Sequence, residues 1–201
     1  MPQVNPRQSR QLIVEGNDDK NFFEALIEHA GIADIEVHQV GGKDAFSSFL
    51  SGFAKTSGFG EFVDSIGIVR DADQSAAGAF QSIQGALMRA ALPVPDEPCV
   101  PRRGDPRVNV MVLPGRQDTG MLETLLCETI TGSELDDCGR EFMRCVEAAE
   151  GRRFRAPHKT RASAYLSARE AHQSVGVAAK QGIWDLNHAS LDPVRNFLAT
   201  L

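Results

Sequence analysis

QLIVEGNDDKNFFEALIEHAG, residues 11–31, decides the fold. Leu12, Ile13 and Val14 form a short apolar run closed by Gly16, which reads as a buried strand. Asn17 is placed to cap a helix in which Phe22, Phe23, Leu26 and Ile27 share one face, with Gly31 as its stop. The same alternation recurs downstream. IEVHQV (35–40) reads as a second strand, and GGKDAFSSFLSGFAK (41–55) as a helix with Phe46, Phe49, Leu50 and Phe53 at helical spacing. SIGIVRDAD (65–73) is a third strand, with a helix over 77–92 beyond it. VNVMVLP (108–114) is a fourth, followed by a helix within 119–130 that turns Leu122, Leu125 and Leu126 inward. Between them, 92–107 holds five prolines and no apolar period, so it reads as a long surface connection. The rest carries helical patterns only, near 135–149, 160–172 and 191–201.

Four strand–helix alternations imply parallel strands joined by right-handed crossovers. The expected fold is α/β: a Rossmannoid parallel sheet of about four strands, helices on both faces, and a helical C-terminal extension. No repeat or linker divides the chain. A single domain over 1–201 is expected, with a core at about 10–130 and the extension at about 131–201 packed on it.

At 42% hydrophobic and 24% charged, with no low-complexity tract, the chain has the composition of a folded protein. No apolar run approaches the ~20 residues of a membrane span, and the polar opening MPQVNPRQSRQ does not read as a secretory leader. The four cysteines (99, 127, 138, 145) form no C-x-x-C pair, which excludes a zinc finger and suits reduced thiols in a cytoplasmic protein. The net charge of −6 is unevenly spread: 139–201 carries ten basic and six acidic residues, while the rest is strongly acidic. That balance argues against a general nucleic-acid-coating protein. It fits an acidic pocket for cations flanked by positive charge. The densest basic segment is GRRFRAPHKTR (151–161).

In a parallel sheet the ligand site lies outside the carboxyl ends of the strands. Glu15 ends the first strand, with Asp19 one helical turn later. Asp71 and Asp73 end the third strand, and Glu123 lies on the helix after the fourth. Each alone reads equally well as a first-turn acid or turn former. Together at strand ends they repel one another unless cations intervene, and hard oxygen donors suit Mg²⁺ or Mn²⁺. Gly41-Gly42-Lys43 is too short for a phosphate loop and reads as the start of a helix.

VEGNDDKNFF with a later RDAD resembles the Toprim domain of topoisomerases, primases and OLD-family nucleases. The four-residue step from Glu15 to Asp19 is most similar to the OLD branch. The Toprim resemblance covers roughly 10–130; nearly the whole chain, including GIWDLNHASLDPVRNFLATL, resembles a bacterial group of uncharacterised Toprim-like proteins. It implies a metal set of Glu15, Asp19, Asp71, Asp73 and Glu123 for two Mg²⁺ or Mn²⁺ ions, the last from MLETLL. Lys159, from KTRASAYL, would share a catalytic role with Glu15. Two departures stand out. There is no G-x-x-x-x-G-K-[ST] ATPase loop, and Tyr165, the single tyrosine, sits in an amphipathic helix, so strand cleavage would use water.

The function expected is metal-dependent phosphodiester hydrolysis or phosphotransfer on nucleic acid, DNA or RNA. Lys159 would sit on the reacting phosphate, with Arg152, Arg153, Arg155 and Arg161 on the backbone. The alternative is a non-catalytic module that binds metal, nucleotide, a protein partner or a second copy. A haloacid-dehalogenase-type phosphatase fits less well, because Gln74 follows the Asp-x-Asp. A receiver fold expects paired acids on the first strand. Of the histidines, only His158, beside Lys159, is placed near this chemistry.

Overall fold

Four parallel strands, Arg10–Val14 (β1), Ile35–Gln39 (β2), Ser65–Asp71 (β3) and Arg107–Leu113 (β4), form one sheet in the order β2-β1-β3-β4. The structure is a computed structural model and describes residues 6–115 and 117–201. The polar opening falls partly, at 1–5, outside the described residues. Leu12 of β1 aligns with Val37 of β2 and with Gly67 of β3, and Ile68 of β3 with Val110 of β4.

Successive side chains of a strand point to opposite faces, and here both faces are buried. Leu12, Val14, Val69, Met111 and Leu113 face one layer; Ile13, Ile66, Ile68, Val108, Val110 and Val112 face the other. The first layer is built from Asn17–His29 (α1) and elements described below. The second is built from Phe46–Phe53 (α2), the short Phe59–Phe62 (α3) and Ala76–Arg89 (α4). On α1, Phe22, Phe23 and Leu26 are fully buried, each stabilising by roughly 1.5–3 kcal/mol. Phe53 stacks on Phe49 and meets Phe59 edge-on, which closes the opposite side.

Beyond β4 come Leu122–Thr129 (α5), Glu134–Glu150 (α6), Pro157–Ala168 (α7), Val175–Lys180 (α8) and Asp192–Ala199 (α9). They return to the α1 layer: Tyr165, Trp184, Val194, Phe197 and Leu198 join the same cluster as Leu12 and Phe22. Leu201 lies over Gly67 of β3, where a Cβ would come within 2.7 Å of its side chain. A buried Asp136–Arg161 ion pair (2.5 and 2.6 Å) ties α6 to α7.

The helix expected over 41–55 starts only after Gly41 and Gly42, which adopt φ of 90° and 119°, and is a 3-10 turn at Lys43–Ala45 followed by α2. The last turn expected to 92 stops at Arg89, where Ala91 turns to φ 56°. Two elements in the tail, α8 and a 3-10 turn at Ala189–Leu191, have no counterpart in the sequence pattern. All four cysteines are free thiols. No helix of the described residues is long and apolar enough to cross a membrane.

Candidate functional site

The order β2-β1-β3-β4 sends the chain from β1 to one side of the sheet and places β3 on the other, so a crevice opens between their carboxyl ends. Glu15 follows β1 and Asp71 is the last residue of β3, with Asp73 two positions on. Asp19 lies in the first turn of α1, where its Oδ2 accepts a hydrogen bond from the Gly16 amide at 2.9 Å. Asp71 Oδ1 accepts from the Leu122 amide at 3.0 Å, which seats the start of α5 and brings its first-turn acid, Glu123, to the same edge.

Asp73 is pinned by its backbone. It adopts φ 52°, donates its amide to the Gly120 carbonyl (2.8 Å) and accepts from the Gly120 amide (3.0 Å). Gly120 itself has φ 134°, and a Cβ there would approach Pro114 to 2.9 Å, so this loop needs glycine.

The carboxyl groups feel one another. Burial pushes Asp71 up to about 8, with further push from Asp19, Glu15 and Glu123, against the Leu122 hydrogen bond. Burial raises Asp19 to about 6; Glu15 and Glu123 add to it, and the Gly16 hydrogen bond opposes. Glu15 is raised by burial and then by Asp73, while Arg70 and Lys43 pull it down. Its Oε2 is buried with no hydrogen-bond partner. A cavity of about 590 Å³ opens beside it, lined by Glu15, Gly41, Gly42, Lys43, Asp44 and Asp73.

The five acids thus lie within electrostatic reach at one sheet edge. Among the described residues, however, no three acidic, histidine or cysteine side chains stand close enough to hold one ion in the conformation present. The donor chemistry still suits a hard divalent cation: the groups are carboxylate oxygens, one is buried without a partner, and a cation would relieve the raised Asp71, Asp19 and Glu15.

Lys159, in the first turn of α7, has its ammonium 3.7 Å from Glu123 Oε1, so the basic segment begins beside the acids. Arg152 pairs with Glu150 at 3.6 Å, and Arg153 and Arg155 are exposed. Arg161 points elsewhere: its guanidinium is taken by Asp136 and the Thr131 hydroxyl. His158 lines a separate cavity of about 570 Å³ between α6 and α7, with Arg140, Arg144 and Arg161, and no acid of the sheet edge lines it.

Two basic residues join the acids that the sequence did not place at this edge: Lys43, expected only at the start of a helix, and Arg70. Lys43 donates to Asp73 Oδ2 at 3.1 Å. Arg70, on β3, keeps a buried Nε without a partner and lowers the Glu15 carboxyl. The glycine pair is the signal for the first, since the amides of Gly41 and Gly42 both donate to the Glu15 carbonyl (3.1 and 3.0 Å) and so tie Lys43 to the end of β1.

No curated protein matches the chain. Among solved structures, it is similar to the C-terminal region of the Xanthomonas campestris pv. campestris OLD protein, with 12% identity and a TM-score of 0.41 over 97% of this chain and 87% of that one. A family whose description is "protein of unknown function (DUF3226)" matches residues 9–201, nearly the full length, and the chain belongs to that family.

Proposed function

We propose that the acidic edge holds Mg²⁺ or Mn²⁺, two ions in all, and that the protein hydrolyses phosphodiesters of nucleic acid. The observation that carries this reading is a set of carboxyl groups, from the ends of β1 and β3 and the starts of α1 and α5, among which burial and neighbouring acids raise Asp71, Asp19 and Glu15, with a lysine alongside. A fold keeps such a cluster at a sheet edge for a function more readily than for stability. The reading is also what the Toprim resemblance of VEGNDD and RDAD implies.

Bound metal would supply Lewis acidity and an activated water. The chain's own residues do the rest. Glu15, Asp19, Asp71, Asp73 and Glu123 supply the oxygen donors, with Glu15 the one whose free oxygen faces no partner. Lys159 neutralises charge on the phosphate. Arg152, Arg153 and Arg155 follow the backbone without reading sequence, and Arg161, held by Asp136, seats α7 behind them.

The test is incubation with end-labelled single- and double-stranded DNA and RNA in Mg²⁺ or Mn²⁺. Chelator-sensitive cleavage that falls by roughly 10²-fold or more in Asp71→Asn supports hydrolysis. The spacing of the carboxylates favours a second reading, a binding module without turnover. Metal-dependent binding of the same strands without cleavage would select it.

A further inference from the structure

We propose that Lys43 is the resident cation of the acidic edge, holding Asp73 until a divalent ion displaces it. The inference rests on the metal-binding reading above and assigns a residue that reading leaves out. Lys43 Nζ lies 3.1 Å from Asp73 Oδ2, and the cavity that carries the Glu15 carboxyl is floored by Gly41, Gly42 and Lys43 itself. The placement is built rather than incidental. Gly41 and Gly42, both at positive φ, donate their amides to the Glu15 carbonyl, so the turn that aims Lys43 is fastened to the residue whose charge it offsets. The other end is fixed too, because Asp73 is locked to Gly120 by two backbone hydrogen bonds.

The arrangement has a physical reason. Asp73 adds to the cost of the Glu15 charge, and the Lys43 charge lowers it. An ammonium takes this position at little desolvation cost, since the Lys43 side chain is 51% exposed and that of Asp73 is 38% exposed. An exposed pair of this kind is weak, so it yields to a divalent ion at modest cost. Lys43 therefore steadies the edge when no metal is present and sets the metal affinity by exchange.

The experiment is calorimetric titration of Mn²⁺ into the wild type, Lys43→Met and Lys43→Arg, with thermal melting of each with and without Mn²⁺. Lys43→Met is expected to bind Mn²⁺ about two- to five-fold more tightly, and its gain in Tm on adding Mn²⁺ should exceed that of the wild type. Lys43→Arg, which keeps the charge, should stay near the wild type. Wild-type Mn²⁺ binding with equal or weaker affinity in Lys43→Met overturns the role of Lys43 and leaves the metal site standing. No Mn²⁺ binding in any of the three overturns both.

Discussion

Asp71 shows what the strand-end placement does to a single group. Burial and three neighbouring carboxylates hold its proton to about pH 8, and Asp19 behaves alike to about 6. Both carboxyls are raised above their ordinary value of 3.8, so in the metal-free folded chain these two groups hold more protons than in the unfolded chain, Asp19 between roughly pH 4 and 6 and Asp71 between roughly pH 4 and 8. Their contribution to stability therefore falls as pH rises through that window. Asp71→Asn keeps an oxygen for the Leu122 amide and removes the charge. It should raise metal-free stability at pH 8 by roughly 2 kcal/mol and flatten the pH dependence of Tm. A lower Tm at every pH would instead mark Asp71 as a structural acceptor. Glu15, Asp71 and Asp73 were legible as neighbours because a strand end is a local feature and the parallel order follows from the alternation. Lys43 was not, because its contact with Asp73 spans 30 residues and exists only once the glycine turn docks on β1.

At the scale of elements, the crossing of α1 and α8 is set by a glycine. A Cβ on Gly176 would lie 2.2 Å from the Asp18 carbonyl oxygen, where backbone meets backbone and no side chain can give way. Gly139, inside α6, is the contrast: its Cβ would meet the Ala164 methyl at 3.5 Å, an ordinary contact. Denaturant unfolding should find Gly176→Ala destabilised by about 3 kcal/mol and Gly139→Ala stabilised by about 0.5–1 kcal/mol. Similar small effects at both would mean that α8 does not pack on α1 this closely. β1, β3 and β4 were readable because each is buried on both faces and carries an apolar run, while the edge strand β2, IEVHQ, showed instead as an alternation of apolar and polar residues. VGVAAK, six residues long, is too short to show a helical period, and only its docking on α1 makes it a helix. Helix 41–55 failed for the opposite reason: its apolar spacing was right for α2, while its glycines belonged to the site turn.

Over the whole molecule, the acidic first part of the sequence and the basic later part meet where the function is proposed. The tail joins the α1 face of the sheet through Trp184, Val194, Phe197 and Leu198, and α7 brings Lys159 to within 3.7 Å of Glu123. The composition alone gave the charge asymmetry, but not that the two parts touch, since that depends on α7 returning to α5. Arg161 shows the limit of reading charge from sequence: it belongs to the basic run yet spends its guanidinium on Asp136, which is buried and invisible as such in an acidic helix start. The central claim is that residues far apart in the chain converge to hold divalent metal. Crystals soaked in Mn²⁺ and measured for anomalous scattering test it most directly. The expected result is manganese at the carboxyl end of β1 and β3, bounded by Glu15, Asp71 and Asp73, with Lys43 turned away from Asp73. Full-occupancy soaks that place no manganese there, or place it only on surface acids away from that edge, would contradict it.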